Sequence, residues 1–280
     1  METADTRKVN PILAFLASFF GLGLGYVYVG KLRLAFATVV GIYAILAFFA
    51  WTRLVVYSAS MWWLYCVACV LAFGISLIHP VVLAVKHREV PPRRYNRWWL
   101  YLIWTIGFNA LGVTVAKNRA IVLGYEPFRI PSTSMSPTVE KGDFVLANSW
   151  RYKSHAADVG EIVIVERPEN PGVKYIKRVV AVAGDTIEMR DGIVYRNGQP
   201  VAEPYVHARV PFGGSPRNVA LSTLGPGLIY ALGDYRDNSL DSRQWGPLAT
   251  STLRGRVQYI WLSINDGKIR WSRASTNLLP

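Results

Sequence analysis

Cysteine is nearly missing from this sequence. Two occur in 280 residues, Cys66 and Cys69, so no disulfide framework holds the rest of the chain and it must fold on its core. A C-x-x-C pair can be a redox couple or half a zinc site. These two lie in a run without Lys, Arg, Asp or Glu to stabilise a thiolate, and no second ligand pair exists. They read as two small hydrophobes on a helix. Histidine is scarce too, at four residues. His79 and His87 belong to the apolar half, which leaves His155 and His207 for hydrolytic work. Neither sits in a base motif, since G-x-S-x-G and H-E-x-x-H are both absent. Both read as surface or loop histidines, and a Ser-His-Asp enzyme or a zinc hydrolase is poorly supported.

Acidic residues are few, 18 against 31 Lys and Arg, for a formal charge of +13. Such an excess raises nucleic acid as a partner, but its distribution argues otherwise. The segment 86–97, K-H-R-E-V-P-P-R-R-Y-N-R, carries five Lys/Arg and one Glu between long apolar runs, the mark of a cytoplasmic loop. No basic motif matches a nucleic-acid reading module, so none is expected.

What is abundant is apolar: 51% of the residues are hydrophobic and ten are Trp. Charge is absent from 9–30, 34–52, 54–85 and 98–116. Each run is long enough to cross ~30 Å of hydrocarbon as a helix. The first is too long for a signal-peptide core, and no small-x-small cleavage pattern follows it, so it is expected to be retained. Four spans put the N-terminus outside, against the preference of Arg7 and Lys8 for the cytoplasm. A re-entrant, Gly-rich first segment with three true spans resolves that conflict, and three or four spans both remain open. The stretch G-L-G-L-G-Y-V-Y-V-G resembles the start of small two-helix membrane modules; helix packing through small residues is the preferred reading.

Beyond about residue 124 the pattern changes to short alternating stretches. D-F-V-L-A-N-S-W, E-I-V-I-V, Y-I-K-R-V-V-A-V, T-I-E-M-R, I-V-Y-R and V-Q-Y-I-W-L-S read as strands. Asp191-Gly192 and Asn197-Gly198 mark tight hairpins. The expected fold is an N-terminal α-helical transmembrane region of three or four spans, residues 1–119, followed by a mostly antiparallel β domain, residues 120–280.

With no histidine motif, a Ser-Lys arrangement stays open. Serine is a weak nucleophile and needs a base. Lysine serves only when desolvated, because a pKa near ~10.4 leaves about one in a thousand neutral near neutral pH. Lys177 lies in a β-branched strand, and strict alternation predicts that one of Lys177 and Arg178 faces inward. Taken alone, that strand reads as carrying a snorkelling surface lysine.

Three motifs decide the reading: P-S-T-S-M-S-P-T, then Y-I-K-R-V-V-A-V-A-G-D, then G-D-Y-R-D-N-S-L-D-S-R-Q-W-G. In this order after a membrane anchor they resemble type I signal peptidase, a membrane-bound Ser-Lys endopeptidase, across about 126–261. The resemblance implies Ser134 as nucleophile and Lys177 as general base. It implies an oxyanion hole from the Ser132 hydroxyl and the Ser134 N–H, Ser239 orienting the lysine, and an Asp241–Arg243 ion pair bracing the segment. Phe128, Ile130, Met135, Val139, Tyr175 and Ile176 match positions lining shallow apolar pockets for small side chains. The implied reaction is cleavage of signal peptides from exported preproteins after small-x-small sites, through an acyl-enzyme, with no metal, ATP or other cofactor. Implied too are an inner-membrane location with the β domain outside, contact with membrane lipid, and proximity to the export translocon.

Departures from the family pattern are Thr133 where Gly is usual, Gly160-Glu161 for Gly-Asp, and Tyr235 where Asn is common. Asp234, Arg236 and Asp237 read either as a motif or as a solvated charged loop. Rival readings are a specialised or self-processing Ser-Lys protease and a membrane receptor with an inactive peptidase-like domain.

Overall fold

The computed structural model describes residues 6–91, 93, 95–167, 169–206 and 216–280; His207 lies outside them. The chain forms two compact units, one of Met1–Val55 and Ser60–Leu123, the other of Val56–Ala59 and Gly124–Pro280.

Up to residue 123 the elements are β1 (Arg7–Lys8), α1 (Pro11–Phe20), α2 (Leu24–Tyr28), α3 (Leu32–Thr52), α4 (Leu54–Tyr57), α5 (Ala59–Lys86), β2 (Glu89–Val90), α6 (Trp98–Lys117) and α7 (Arg119–Val122). The run 9–30, long enough for one spanning helix, is instead broken in two. Asn10 caps α1, accepting from the Ile12 N–H at 2.8 Å, and Pro11 opens the helix. Gly21 ends it, and Gly23, at φ 80°, turns the chain. A Cβ on Gly25 would stand 2.0 Å from the Ser18 Oγ and 2.9 Å from the Pro80 Cβ. Only glycine lets α2 seat there, so the small residues do serve packing.

Both ends of this hairpin meet the basic 86–97 segment. β1 pairs antiparallel with β2, and the Tyr95 hydroxyl donates to the Gly30 carbonyl at 2.8 Å. The Trp104 Nε1–H donates to the Leu22 carbonyl at 2.8 Å, and the Tyr26 hydroxyl bonds the His79 Nδ1 at 3.0 Å. Three helices, α3, α5 and α6, are long and apolar enough to cross a membrane, whereas α1 has ten residues. Cys66 and Cys69 are free, half-buried residues of α5.

From residue 124 the chain is mostly antiparallel sheet: β3 (Tyr125–Arg129), β4 (Asp143–Asn148), α8 (Arg151–Ser154), β5 (Ile162–Glu166), β6 (Lys174–Val182), β7 (Thr186–Arg190), β8 (Ile193–Arg196), β9 (Gln199–Pro200), β10 (Val219–Thr223), β11 (Leu228–Leu232), α9 (Ser242–Trp245), β12 (Leu248–Ala249), β13 (Leu253–Asn265), β14 (Lys268–Ile269) and β15 (Thr276–Asn277). The larger sheet runs β12-β11-β6-β5-β13-β4-β3, with β14 and β15 also on β13; the smaller runs β10-β7-β8-β9. Asp191-Gly192 and Asn197-Gly198 turn the β7–β8 and β8–β9 hairpins with positive φ at both residues of each pair, the backbone that two-residue hairpins require.

Among the described residues three apolar groups fill this unit, and β6 contributes to each of them. Ile176 packs with Met135, Val139 and Ile164; Val179 with Val163, Val165 and Ala231; Val180 with Ile187, Met189 and Leu232. A strand covered on both faces has no solvent side. The alternation expectation for Lys177 and Arg178 is therefore corrected: both are buried, at 2% and 7% exposure.

Candidate active site

The loop 130–139 is tethered at each end by apolar side chains. Ile130 donates its N–H to the Asp143 carbonyl at 2.8 Å, while Met135 and Val139 are fully buried and linked by a Val139 N–H to Met135 carbonyl bond of 2.9 Å. Between these anchors the Ser136 N–H closes a turn on the Thr133 carbonyl at 2.9 Å. Ser134 is thus held half-exposed at the crest of a loop whose sides are fixed. The Ser132 and Ser134 hydroxyl oxygens are 3.5 Å apart.

Lys177 comes up beneath this crest from β6. Its Nζ donates to the Ser134 Oγ at 3.1 Å and to the Ile176 carbonyl at 2.8 Å. Val163 lies opposite it on β5. Burial pulls the ammonium down from 10.5 to about 8; the charges of Asp241 and Asp234 pull it back up, and that of Arg243 lowers it. A lysine held there spends a useful fraction of its time as a free amine near neutral pH, in contact with a hydroxyl. This pair can accept and return a proton at one oxygen, the elementary step of nucleophilic catalysis.

The third motif packs alongside. Arg178 holds Asp234 in a buried two-point ion pair, 2.9 Å from Nε to Oδ1 and 2.7 Å from Nη2 to Oδ2. It also donates to the Gly160 carbonyl at 2.9 Å and lies 4.0 Å over the Tyr205 ring. Arg236 bonds Glu203 and, at 2.9 Å, the Gly233 carbonyl. The charged stretch 234–237 is no solvated loop: Asp234 and Arg236 are buried.

Asp241 and Arg243 meet at the start of a helix. Asp241 is the N-cap of α9 and Arg243 stands in its first turn, so the guanidinium folds back onto the carboxylate at 2.8 and 2.9 Å. Asp241 also accepts from the Gly233 N–H at 3.0 Å, and Arg243 donates to the Arg236 carbonyl at 2.6 Å. The pair thereby fixes both limbs of the 233–243 turn. The Tyr235 N–H reaches the Ser134 carbonyl at 3.1 Å, and Ser239 is buried beside Gly233.

Of the pocket candidates, Phe128, Ile130, Met135, Val139 and Ile176 form one apolar group. Tyr175 belongs to another, its ring edge-on to Trp245 at 5.0 Å. Glu161 is a buried hub: it accepts from Arg151, Tyr152 and Arg256 at 3.0, 2.8 and 2.9 Å. Burial and that carboxylate push the Tyr152 phenol up. His155 is exposed and bonds Ser154 at 2.8 Å. Among the described residues no group of three or more His, Cys, Asp or Glu is placed to hold a metal ion. Sequence reasoning missed Glu203 and Tyr205, which join the site from far along the chain and carry no local signature.

Residues 102–262, over half of the chain, match the family model for signal peptidase, peptidase S26. The "Probable signal peptidase I-1" of Synechocystis is 36% identical over 155 residues, 52% of this chain and 76% of its own. Thylakoidal processing peptidase 1 of Arabidopsis thaliana is 36% identical over 159 residues, covering 53% of this chain and 44% of that one. A crystal structure of a signal peptidase I from Enterococcus faecalis, 26% identical, covers 36% of this chain and 97% of its own at a TM-score of 0.32. Carrying the family's domain over most of its described β unit, the chain belongs to the peptidase S26 family of signal peptidases, hydrolases that act on preproteins bearing signal peptides.

Proposed function

We propose that the chain is a membrane-held serine endopeptidase whose Ser134–Lys177 dyad removes signal peptides. The observation that carries this reading is the 3.1 Å approach of a buried Lys177 Nζ to the Ser134 Oγ. As a free amine, Lys177 takes the Ser134 proton while Oγ attacks the carbonyl before the scissile bond. The oxygen left negative is stabilised by the Ser134 N–H and the Ser132 hydroxyl, a pair of donors of the kind worth several kcal/mol. The ammonium then gives its proton to the leaving amine, and the signal peptide remains as an ester on Ser134. Water, deprotonated by the same amine, hydrolyses that ester and restores the dyad.

The substrate binds extended, as an added strand. This is supported by the register of β6: its partners on β11 begin at Arg178, while 174–177 pair with β5 alone among the described strands. Phe128, Ile130, Tyr175 and Ile176 line the shallow pockets that admit small side chains before the cut, and Met135 and Val139, fully buried, pack against Ile130 and Ile176. Ser239 orients the Lys177 amine, and Asp241 with Arg243 holds the segment that carries it.

In the membrane the chain makes three spans, α3, α5 and α6, after a re-entrant α1–α2 hairpin. This is supported by β1 pairing with β2 and by the Tyr95–Gly30 bond, which bring Arg7, Lys8, Lys31 and Arg33 to the side of the 86–97 segment. By the positive-inside rule that side is cytoplasmic. Three crossings deliver residues 120–280 to the extracytoplasmic face of the inner membrane, against the lipid surface and near the export translocon.

The test is cleavage of a preprotein by the full-length enzyme in detergent, with the product N-terminus sequenced. Cleavage after a small-x-small site, lost in folded Ser134→Ala and Lys177→Ala, is the expected result. An unimpaired Lys177→Ala enzyme would overturn the dyad.

A further inference from the structure

Position 133, next to the proposed nucleophile, carries a threonine where the family pattern has glycine. We infer that Thr133 is a positioning residue: its hydroxyl, latched to the Asn238 carboxamide, holds the loop that aims Ser134. The inference rests on the proposed dyad and deepens it.

The latch is direct. The Asn238 Nδ2 donates to the Thr133 Oγ1 at 2.9 Å, joining residues 105 apart in sequence. Thr133 does not need a backbone reserved for glycine; it is not among the residues with positive φ. A side chain at this position therefore costs the loop no left-handed strain, and its hydroxyl is free to reach across.

The partner is itself held firmly. Asn238 ends the 236–238 turn, closed by its own N–H on the Tyr235 carbonyl at 3.0 Å. Arg243 grips the turn through the carbonyls of Arg236 and Ser239, at 2.6 and 3.3 Å. One step further along the nucleophile loop, the Ser134 carbonyl accepts from the Tyr235 N–H at 3.1 Å. Two consecutive residues, Thr133 by side chain and Ser134 by main chain, are thus pinned to one rigid turn. Two pins define a direction where one leaves a pivot. Together with the Ser136 N–H bond to the Thr133 carbonyl at 2.9 Å, they suppress rotation of the peptide joining Thr133 to Ser134, which carries the Ser134 N–H toward the developing oxyanion.

A residue that aims donors acts on the transition state more than on substrate binding. Loss of the Thr133 hydroxyl should lower kcat and leave KM nearly unchanged. Both partners are exposed, so their replacement leaves the core intact.

The experiment uses the full-length enzyme in detergent and a preprotein substrate, with Ser134→Ala as control. Thr133→Val keeps the branched shape and removes the hydroxyl; its kcat should fall about tenfold with KM within about twofold. Thr133→Ser should recover most of the loss. Asn238→Ala should resemble Thr133→Val, and the double variant should be no worse than either single one, as a shared contact demands. Equal melting temperatures across the set exclude a folding effect. Wild-type kcat in Thr133→Val, a Thr133→Ser enzyme as slow as Thr133→Val, a change confined to KM, or additive losses would each overturn the latch. If the wild-type enzyme fails to cut, or Ser134→Ala cuts, the dyad itself fails and the latch with it.

Discussion

Ser239 leaves no room for a side chain at Gly233. A Cβ built there would stand 2.2 Å from the Ser239 Oγ and 2.5 Å from the Ser134 carbonyl oxygen. Glycine is needed here for close approach, because it lets the third motif run against the nucleophile loop. Gly233→Ala should push Ser239 and the Ser134 backbone apart. The expected result is a loss of kcat/KM of at least about a hundredfold with a stability cost of roughly 1–3 kcal/mol. Kinetics and thermal unfolding on the same sample check both parts; full activity in the alanine variant would mean that the two segments need not touch.

Lys177 should be a burden to folding. Its ammonium is pulled from 10.5 to about 8 by burial. Below about pH 8 both folded and unfolded chains carry the proton, and the folded state bears the whole desolvation cost, up to about 3 kcal/mol. Between about 8 and 10.5 only the unfolded chain holds it, so stability rises with pH across that window. Lys177→Met should therefore unfold at a higher temperature than wild type at neutral pH, with the gap closing as the buffer approaches pH 10.5. Calorimetry over that range decides; a gap that widens with pH would reverse the sign.

Glu161, one of the departures from the family pattern, is expected to be structural. It is buried and holds Arg151, Arg256 and Tyr152. Glu161→Ala strands the Arg256 guanidinium in partly buried surroundings and leaves Arg151 to Asp158 at 2.7 Å, a change expected to cost about 3 kcal/mol. Denaturant unfolding should report that loss. A change below about 1 kcal/mol would show Arg256 finding water instead.

The strands most legible in the sequence are those where one physical rule dominates. T-I-E-M-R and I-V-Y-R alternate and are divided by Asp191-Gly192, and they fold as β7 and β8. β3 escaped notice because Glu126 and Pro127 interrupt its apolar pattern, although Tyr125 to Arg129 pair residue for residue with β4. In β11, L-I-Y-A-L shows no alternation, since both of its faces are covered. Burial of both Lys177 and Arg178 was illegible for the same reason.

The approach of Ser134 to Lys177 was readable only through the family's motifs. Nothing in the spacing of two residues 43 apart reveals it. Glu203, which closes on Arg236 from 33 positions away, belongs to no quoted motif and was missed.

The dyad is tested most directly by the pH dependence of kcat/KM, measured from about pH 6 to about pH 10. A lysine acting as a free amine requires activity to rise with pH through about 8 and then level. Asp241→Asn, checked first for folding, removes the largest electrostatic pull holding that value up. The rise should then move to lower pH by up to roughly one unit. A profile flat across this range, or one whose rise is unmoved in a folded Asp241→Asn enzyme, would contradict Lys177 as the base.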